Sequence, residues 1–477
     1  MILNLVEPMD SMVENDPGLA ANRSGRRIYF DLSSLLRWHG PPVGIVRRQH
    51  ELARFALASR PEIVCAAFDE VPPSFRIVDS AWIERLIGWD HTIDLVTFDI
   101  RRHRRGLSRL RPSRYPLIMA LERRRLTARS EFGRRIAGVG QQLLWLRREL
   151  PPPFAGGHGS RFGVVPIDLA LGPGLALGSD VVILSVGDDW VHRDATRIGE
   201  LKRRHGFRYV VMCHDLIPIM FPNHFPERVA TLFRRYWTAM LSIADRILVN
   251  SRTVEADIRD FCSRTGIVCG EIAVVQPGFD VARARSADPL PDRLQAGKYV
   301  LFVGTIEPRK GHAMLMDVWS RLLAQGLPQR RDFKLVLVGR RGWMVEDLLR
   351  QIADTSAFEG TLLHFTDMDD EALARLYQAA AFCVFPSLYE GFGLPVVEAF
   401  AYGKAMIAST GGALPETVGN LSPCLPPTDP QAWFDIMKRW IEDDSARAAY
   451  QERIRKSFRH PDWKQASARL FEAVDMD

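Results

Sequence analysis

The sequence contains no apolar run of 18 residues, and none of its six cysteines belongs to a C-x-x-C pair. A helix that crosses a bilayer needs about 20 apolar residues, so no transmembrane helix is predicted. The scattered cysteines predict small buried side chains in a reducing compartment. The N-terminal stretch MILNLVEPMDSMVENDPG is acidic and lacks the basic start of a signal peptide. Residues 1–25 are therefore predicted to be a flexible extension, and a cytoplasmic protein is expected.

Charge is distributed unevenly along the chain, whose formal net charge is +6. Residues 101–150 contain fifteen Arg and three Glu but no Lys or Asp, and the remaining residues are net acidic. Residues 115–121 and 136–150 mix apolar side chains with arginine, which is typical of a surface helix that binds anionic lipid. A solvated basic insert is the alternative. RNA binding would need an aromatic stacking pattern or a known motif, so no nucleic-acid partner is expected.

The length of 477 residues and a hydrophobic content of 47% allow two sizeable cores. Residues 281–297 lose hydrophobic periodicity and gather proline and glycine, which predicts an exposed linker. The expected domains are therefore residues 26–280, with the Arg-rich insert at about 100–150, and residues 298–477. The last helix of the second domain is a candidate for packing back on the first.

The second half alternates apolar runs with helical patterns, which predicts a parallel sheet wound with helices. Ligands of such sheets bind beyond the carboxyl ends of the strands. The predicted strands lie near residues 299–304, 333–339, 361–366, 381–386 and 405–410. The glycines expected at their carboxyl ends are Gly304, Gly339, Gly391, Gly393, Gly411 and Gly412.

The first half is less regular but also predicts an α/β domain. Its strands are expected at residues 26–36, 181–187, 209–218 and 246–251. A glycine- and proline-rich loop that ends at Gly44 precedes a predicted helix at residues 45–58. Ser251 is expected to cap a helix that begins at Thr253, and a contact with a donor phosphate is the less favoured interpretation.

Residues 385–416, FPSLYEGFGLPVVEAFAYGKAMIASTGGALPE, place two glutamates eight residues apart around a glycine-rich turn. The turn leads from a buried strand into a helix that begins near Leu394, with Pro395 in its first turn. A helix N-terminus attracts anions, and glycines let the backbone approach a ligand. Glu390 and Glu398 could then accept hydrogen bonds from hydroxyls on either side of a pyrophosphate. For an isolated pair, two solvated glutamates would be the ordinary interpretation.

Arg309 and Lys310 lie in the loop after the predicted strand at 299–304, just before Gly311. A planar guanidinium and a compact ammonium at the carboxyl end of a parallel strand suit a pyrophosphate. His214 follows another apolar strand and is expected to face the same cleft, although a lone histidine more often satisfies a core hydrogen bond. Asp215 could orient the His214 ring or cap the following turn.

Two further patterns are weaker. Asp367 and Asp369 fit the D-x-D spelling of metal-dependent enzymes, but they open an apparent helix, where acids suit the helix dipole. Gly172 and Gly174 form a G-x-G without a strand-turn-helix context, so no nicotinamide site is expected. No metal and no cofactor are therefore predicted.

These motifs together resemble the donor site of the retaining glycosyltransferases of family 4. The resemblance is clear over residues 299–416 and fainter over residues 27–55 and 181–280. It implies the GT-B fold, in which two facing Rossmann-like domains of parallel strands enclose a cleft. It also implies that Glu390 lies by the transferred sugar and that Glu398 binds the ribose. The tight Gly-Gly form of the acceptor-side loop is replaced here by Gly-Pro-Pro-Val-Gly at residues 40–44.

The resemblance assigns roles residue by residue. Arg309 and Lys310 would neutralise the leaving diphosphate, and His214 would lie beside the transferred sugar. The candidate catalytic residues are His214, Arg309, Lys310 and Glu390, the candidate donor-binding residues are Gly304, Gly391, Phe392, Gly393, Leu394 and Glu398, and the acceptor-side loop residue is Gly44.

The implied activity is the transfer of a hexose, with retention of configuration, from a nucleotide diphosphate sugar to a glycan acceptor. GDP-mannose is the favoured donor by analogy with the family. The implied context is bacterial surface polysaccharide or lipopolysaccharide assembly, at the inner face of the cytoplasmic membrane. The alternative is a catalytically inactive GT-B subunit of a glycan-assembly complex, which binds nucleotide sugar or serves as a scaffold. An epimerase or a phosphorylase of the same architecture is less favoured.

Overall fold

The computed structural model describes residues 25–38, 44–70, 73–88, 170–281, 290–354, 356–366 and 368–475. They form two α/β domains, each built on one sheet. The predictions of a flexible N-terminal extension and of a lipid-binding segment at 101–150 fall outside these residues, apart from residue 25.

The N-terminal domain contains an eight-stranded sheet. Its strands are β1 (Arg27–Asp31), β2 (Val64–Glu70), β3 (Pro73–Val78), β4 (Leu171–Gly174), β5 (Val181–Ser185), β6 (Arg208–Cys213), β7 (Arg246–Val249) and β8 (Glu271–Val274). They are ordered β4-β3-β2-β1-β5-β6-β7-β8. Six adjacent strands, β2, β1, β5, β6, β7 and β8, run parallel. The remaining two, β3 and β4, form an antiparallel edge beside β2. The G-x-G at 172–174 therefore lies in an edge strand.

Helices cover this sheet on both faces. They are α1 (Ser33–Arg37), α2 (Gly44–Ser59), α3 (Ser80–Ile87), α4 (Ala195–His205), α5 (Ile217–Met220), α6 (Glu227–Ile243) and α7 (Arg252–Thr265), with 3-10 turns at Asp189–Val191 and Pro222–His224. Ser251 accepts a hydrogen bond from the Val254 N–H at 3.2 Å, so the predicted cap of α7 is present.

Two predicted strands were too long. Asp31 Oδ1 accepts hydrogen bonds from the N–H and the hydroxyl of Ser33, which turns the chain out of β1 and starts α1. In the same way, Asp215 Oδ1 accepts from the Ile217 N–H at 3.0 Å and starts α5 after β6. The apolar residues beyond each aspartate are buried as helix faces, because a short side chain that bonds its own backbone favours a turn over an extended strand.

The C-terminal domain contains a six-stranded sheet that is parallel throughout. Its strands are β9 (Tyr299–Val303), β10 (Lys334–Val338), β11 (Leu362–Phe365), β12 (Phe382–Phe385), β13 (Met406–Ser409) and β14 (Cys424–Leu425). They are ordered β11-β10-β9-β12-β13-β14. This is the doubly wound order, and its strands are apolar on both faces because helices cover both. The five predicted strands are confirmed.

The helices of this domain follow the strands in alternation. They are α8 (His312–Ala324), α9 (Leu327–Arg331), α10 (Glu346–Ala353), α11 (Asp370–Ala379), α12 (Leu394–Ala401), α13 (Leu414–Val418), α14 (Pro430–Glu442), α15 (Ser445–Ser457) and α16 (Trp463–Asp475), with a 3-10 turn at Pro308–Lys310. None of the helices in the described ranges combines the length and the apolar character that a membrane span requires.

The last helix, α16, packs on the N-terminal domain. Its Leu470 and Phe471 are fully buried in the core that covers one face of the first sheet. The Phe471 ring stacks on Phe55 of α2 at 5.9 Å, and Asp475 pairs with Arg60 at 2.9 Å. The chain therefore crosses between the domains twice.

The predicted linker at 281–297 differs in the structure. Residues 282–289 lie outside the described ranges, whereas residues 290–297 pack against the second domain. Leu294 is 9% exposed within that domain's core, and the Gly297 N–H donates to the Ala379 carbonyl at 2.7 Å. Leu290 and Leu294 attach this proline-rich segment to the core, although the segment as a whole lacks hydrophobic periodicity.

Candidate active site

Three charged side chains meet where the loops after β9 and β12 face each other. Lys310 Nζ donates to Glu390 Oε1 at 2.6 Å, and Arg309 Nη1 donates to Glu390 Oε2 at 3.2 Å. The two loops leave neighbouring strands at the point where the strand order reverses, which is where open α/β sheets bind their ligands. Two predicted cations and the first glutamate of the motif are therefore brought together.

The electrostatics of this cluster keep Glu390 and Arg309 ionised. Burial alone would raise the pKa of Glu390, but Lys310 and Arg309 hold it at about 2. Burial also opposes the charge of Arg309, yet Glu390 and Glu307 raise the pKa of its guanidinium. The Glu390 carboxylate thus neutralises two cations that would also attract a diphosphate.

Glu307 is a further acid of the site that the sequence analysis did not single out. Its side chain is buried, and its Oε2 lies 3.1 Å from Arg309 Nε. Burial raises the pKa of Glu307, and the charge of Arg309 counteracts this. Its place in the same loop, two residues before Arg309, is the sequence signal that could have identified it.

The glycine loop enters α12 through left-handed backbone. Gly393 has a φ of 99°, and a Cβ there would lie 2.5 Å from Leu414 Cδ2, so glycine is required. The Phe392 ring is buried 5.9 Å from the ring of His460, and it therefore packs inside the domain. Leu394 is the first residue of α12, as its predicted start requires.

Glu398 lies in the second turn of α12 and does not share the partners of Glu390. The Tyr377 hydroxyl donates to Glu398 Oε2 at 2.7 Å. Burial raises the pKa of Glu398, and the hydrogen bond from Tyr377 and the charge of Arg47 partly offset this. Arg47 belongs to α2 of the other domain and pairs across the cleft with Asp370 at 3.2 Å. The second glutamate therefore lies at the cleft, one side chain away from the N-terminal domain.

Gly304 follows β9 and donates its N–H to the Val338 carbonyl at 2.9 Å. Packing does not require glycine at position 304, since the atom nearest to an added Cβ would be 3.6 Å away in the Phe302 ring. The neighbouring Gly339 is required, because a Cβ there would lie 2.0 Å from the Gly304 carbonyl oxygen. The ends of β9 and β10 therefore approach closely at this edge.

His214 lies directly after β6, at the carboxyl end of the N-terminal sheet. Its Nε2 is 2.9 Å from the Val186 carbonyl oxygen, and because a carbonyl only accepts, Nε2 carries the hydrogen. Burial and, to a smaller extent, the charge of Arg48 lower the pKa of His214 to about 3. The ring is therefore neutral, and Nδ1 is left as a hydrogen-bond acceptor. Asp215 caps the turn into α5, which decides between its two predicted roles.

The donor loop of the second domain lies directly against His214. A Cβ on Gly391 would be 2.5 Å from the His214 carbonyl oxygen and 2.9 Å from Asp215 Cβ. The Ser251 hydroxyl, besides capping α7, donates to the Gly391 carbonyl at 2.8 Å across the domain boundary. His214 and the loop that holds Glu390 are thus neighbours, although 176 positions separate them in the chain.

Other contacts that sequence reasoning missed join the domains around α7. The Tyr389 hydroxyl donates to the Asp257 carboxylate at 2.8 Å. Glu416 accepts hydrogen bonds from the backbone N–H groups of Arg252 and Thr253 at 3.1 and 3.2 Å. These hydrogen bonds depend on how the two domains meet, so no local sequence pattern predicts them.

Gly44 begins α2 with a φ of 53°, and the rest of its loop lies outside the described residues. Asp369 accepts from the Ala372 N–H at 2.7 Å and so caps α11, while Asp367 is not described. Across the ranges that the structure describes, no group of three or more His, Cys, Asp or Glu side chains could hold a metal ion. All six cysteines are free thiols.

Comparison with known proteins gives a family match within the C-terminal domain. Residues 292–457 match the model of the family described as glycosyl transferases group 1. O-antigen chain mannosyltransferase B of Escherichia coli is 33% identical over 178 residues, which cover 37% of this chain and 46% of that protein. The phosphatidyl-myo-inositol mannosyltransferase of Mycolicibacterium smegmatis is 33% identical over 211 residues, 43% of this chain and 52% of that protein. The chain thus spans about half the length of these relatives.

A solved structure extends the comparison to both domains. The Anabaena protein HepE, crystallised in complex with UDP and glucose, superposes with a TM-score of 0.55 over 94% of this chain and 99% of that one, at 16% identity. At this identity the similarity concerns the fold, which is the GT-B arrangement of two parallel-sheet domains. Residues 292–457 thus resemble the glycosyl transferases group 1 family, and the chain as a whole has the GT-B fold.

Proposed function

We propose that this chain is a retaining glycosyltransferase that transfers a hexose from a nucleotide diphosphate sugar to a glycan acceptor. The observation that supports the proposal most directly is the cluster of Arg309, Lys310 and Glu390 at the switch point of the C-terminal sheet, opposite His214. It combines two cations for a leaving diphosphate with a carboxylate and a neutral imidazole for sugar hydroxyls.

In the proposed mechanism, the bond between the anomeric carbon and the β-phosphate oxygen breaks as the anomeric carbon acquires oxocarbenium character. Arg309 and Lys310 stabilise the charge that develops on the diphosphate, which is typically the largest catalytic contribution. The acceptor hydroxyl attacks from the face that the diphosphate leaves, and its proton passes to the departing phosphate oxygen. Configuration is thereby retained without an enzymic base. Glu390 and His214 Nδ1 position the sugar by accepting its hydroxyl hydrogens.

The names of the relatives support the proposed donor and acceptor. Curated relatives are named as mannosyltransferases, and one of them as acting on the O-antigen chain. We therefore assign mannose as the transferred sugar, GDP-mannose as the donor and a surface glycan or its lipid-linked precursor as the acceptor. Contact of residues 101–150 with the anionic inner face of the cytoplasmic membrane belongs to the same proposal.

The proposal is tested by thermal unfolding in the presence of GDP, UDP, ADP, CMP and dTDP. A ligand at 100 times its Kd stabilises a protein by about 2.7 kcal/mol, so a shift of a few degrees in the melting temperature is expected with one diphosphate. The shift should disappear in Arg309→Ala plus Lys310→Ala. The matched control is Arg455→Ala plus Lys456→Ala, an adjacent pair on the surface of α15. No shift with any nucleotide would contradict the proposal and favour an inactive scaffold subunit.

A second prediction concerns the approach of the donor loop to His214. Gly391→Ala should lower kcat by about 10- to 100-fold, because the new methyl group would push the loop from the His214 carbonyl, and misplacements near 1 Å have effects of this size. The nucleotide affinity should change little, since Arg309 and Lys310 are untouched. Turnover of GDP-mannose and titration calorimetry measure the two quantities. Gly174→Ala, where the added Cβ meets no atom within 4 Å, is the control. Wild-type turnover in Gly391→Ala would refute the closeness of this contact.

A further inference from the structure

Arg48 is a buried cation in α2 whose partners are neutral. It is 4% exposed, and its Nη1 donates to Asn250 Oδ1 while its Nη2 donates to the Val275 carbonyl at 2.8 Å. No carboxylate within the described residues forms an ion pair with it. Burial of a guanidinium without a counterion costs free energy, because the charged form loses its hydration. For the same reason, burial lowers the pKa of Arg48 to about 9. Such a group requires an explanation beyond stability.

The partner of Arg48 has a fixed orientation. A guanidinium only donates, so the oxygen of the Asn250 amide must face Arg48 and its nitrogen must face the other way. That nitrogen, Nδ2, donates to the His214 carbonyl at 3.0 Å. The guanidinium thus determines which end of the Asn250 amide reaches His214.

His214 is consequently held at two points. Its carbonyl accepts from Asn250, and its ring donates from Nε2 to Val186, at the end of the neighbouring strand β5. The same carbonyl is the atom against which Gly391 of the donor loop packs. Hydrogen bonds connect Arg48 to Asn250 and Asn250 to the His214 carbonyl. They therefore fix the position of His214 relative to the loop that holds Glu390.

We propose that Arg48 and Asn250 are positioning residues that hold His214 against the donor loop, with Nδ1 presented as an acceptor to the transferred sugar. The consequence for turnover rests on the proposed function, whereas the placement of His214 does not. Neither residue belongs to the donor-site motifs, and Arg48 is one arginine of a basic stretch in the sequence. Their effect on the sugar is exerted through His214 alone.

Arg48 also contributes an electrostatic effect. After burial, its charge is the largest influence that lowers the pKa of His214, opposed by the hydrogen bond to Val186 and by the charge of Asp189. A neutral imidazole can accept a hydroxyl hydrogen at Nδ1, and an imidazolium cannot. The cation that orients the amide therefore also favours the ring form that the proposed contact requires.

The test compares Asn250→Asp and Arg48→Met with the wild-type chain. Asn250→Asp keeps the shape and pairs with Arg48, but it cannot donate to the His214 carbonyl. Arg48→Met keeps the volume and releases the amide. Arg54→Met, an exposed arginine of the same helix, is the matched control. Asn250→Asp keeps a partner for Arg48, so it remains informative if Arg48→Met does not fold.

The first readout is the NMR spectrum of protein labelled at its 12 histidines, in which the loss of one signal in His214→Ala identifies that ring. In both variants the His214 signal should move while the other histidine signals stay in place. An unchanged His214 signal would overturn the inference, and so would a general change of all signals, which would indicate a role in the fold at large. This readout needs no donor, so it decides the placement even if the wild type binds no nucleotide and the proposed function fails.

The second readout separates sugar recognition from diphosphate binding. The Kd for GDP should stay within about twofold of wild type, whereas the additional affinity for GDP-mannose should be lost and kcat should fall about 10- to 100-fold. Wild-type kcat and wild-type affinity for GDP-mannose in both variants would overturn the positioning role. Loss of GDP affinity together with GDP-mannose affinity would also overturn it, because the donor loop itself would then depend on Arg48.

Discussion

Replacing Glu390 by glutamine should lower turnover by about 10²- to 10³-fold while GDP binds as tightly as before or up to about tenfold more tightly. The two effects have opposite signs because Glu390 pairs with the two cations of the site and, in the proposed mechanism, also accepts a hydrogen bond from the sugar. In the structure its carboxylate pairs with Lys310 at 2.6 Å and with Arg309 at 3.2 Å. A diphosphate must compete for both cations, and glutamine removes the competing charge. The sugar, in contrast, loses a negatively charged hydrogen-bond acceptor. The interaction of that acceptor with the sugar would strengthen as the anomeric carbon becomes positive.

Turnover with GDP-mannose and calorimetry with GDP measure these effects separately. Glu307→Gln is the matched comparison, since it also removes a carboxylate beside Arg309 but leaves Lys310 and Glu390 paired. It should tighten GDP binding less and retain most of the turnover. A Glu390→Gln variant that loses GDP affinity together with turnover would show that the carboxylate supports the cations, and would contradict the proposed division of roles.

The largest effect on stability is expected at Arg193, deep in the N-terminal domain. Its side chain is fully buried, with Nη2 2.6 Å from Asp31 Oδ2 and Nη1 2.8 Å from Asp189 Oδ2. Arg193→Met would leave two carboxylates buried without a cation, which should lower the free energy of unfolding by about 3–5 kcal/mol at pH 7. Chemical denaturation measures the loss, and Arg204→Met, at an exposed position of α4, should be neutral.

The sign of the pH dependence follows from the same cluster. In the wild type, burial raises the pKa of Asp31 against the charge of Arg193. Burial also opposes the charge of Asp189, but Arg193, His192 and Ser185 together lower the pKa of that carboxyl. Without the guanidinium, both carboxyls should have raised pKa values in the folded state. A group with a raised pKa contributes stability below its unfolded pKa and loses it as pH rises through the folded value. The variant should therefore recover part of its stability when the pH falls from 7 to 5. A defect equal at both pH values would indicate lost packing on the Phe68 and Phe75 rings instead.

The C-terminal domain could be predicted closely because its signals are local. Its strands are apolar runs, two of which, β9 and β10, are followed directly by glycine. The spacing from Glu390 to Glu398 spans one turn and the start of one helix. The prediction for Arg309 and Lys310 combined the rule that ligands bind at strand ends with this glutamate motif. In the N-terminal domain, the Asp31 and Asp215 side chains accept hydrogen bonds from the nearby backbone, and β1 and β6 therefore end earlier than predicted. A single hydrogen bond of this kind decides between a turn and a continued strand.

Most contacts between segments that are distant in the sequence could not be predicted, although the last helix was a candidate for packing on the first domain. Ser251 was identified as a helix cap, and it is one, but its hydroxyl also reaches Gly391. Asn250 and Arg48 looked like an ordinary strand end and an ordinary basic helix residue. Their significance depends on which segments meet in three dimensions, and a periodic pattern in one segment holds no information about its distant partner.

The crossing of α16 has a consequence for the order in which the chain can fold during synthesis. Leu470, Phe471 and Val474 complete the core that also contains Phe30 near the beginning of the chain. Domains ordinarily fold as units from the N-terminus while the ribosome extends the chain. Here the first domain cannot fully bury the face of its sheet that carries Phe30 until residues 463–475 have emerged from the ribosome. The C-terminal domain, whose core is contiguous from 290 to 458, can therefore be fully packed before the N-terminal domain that was synthesised first.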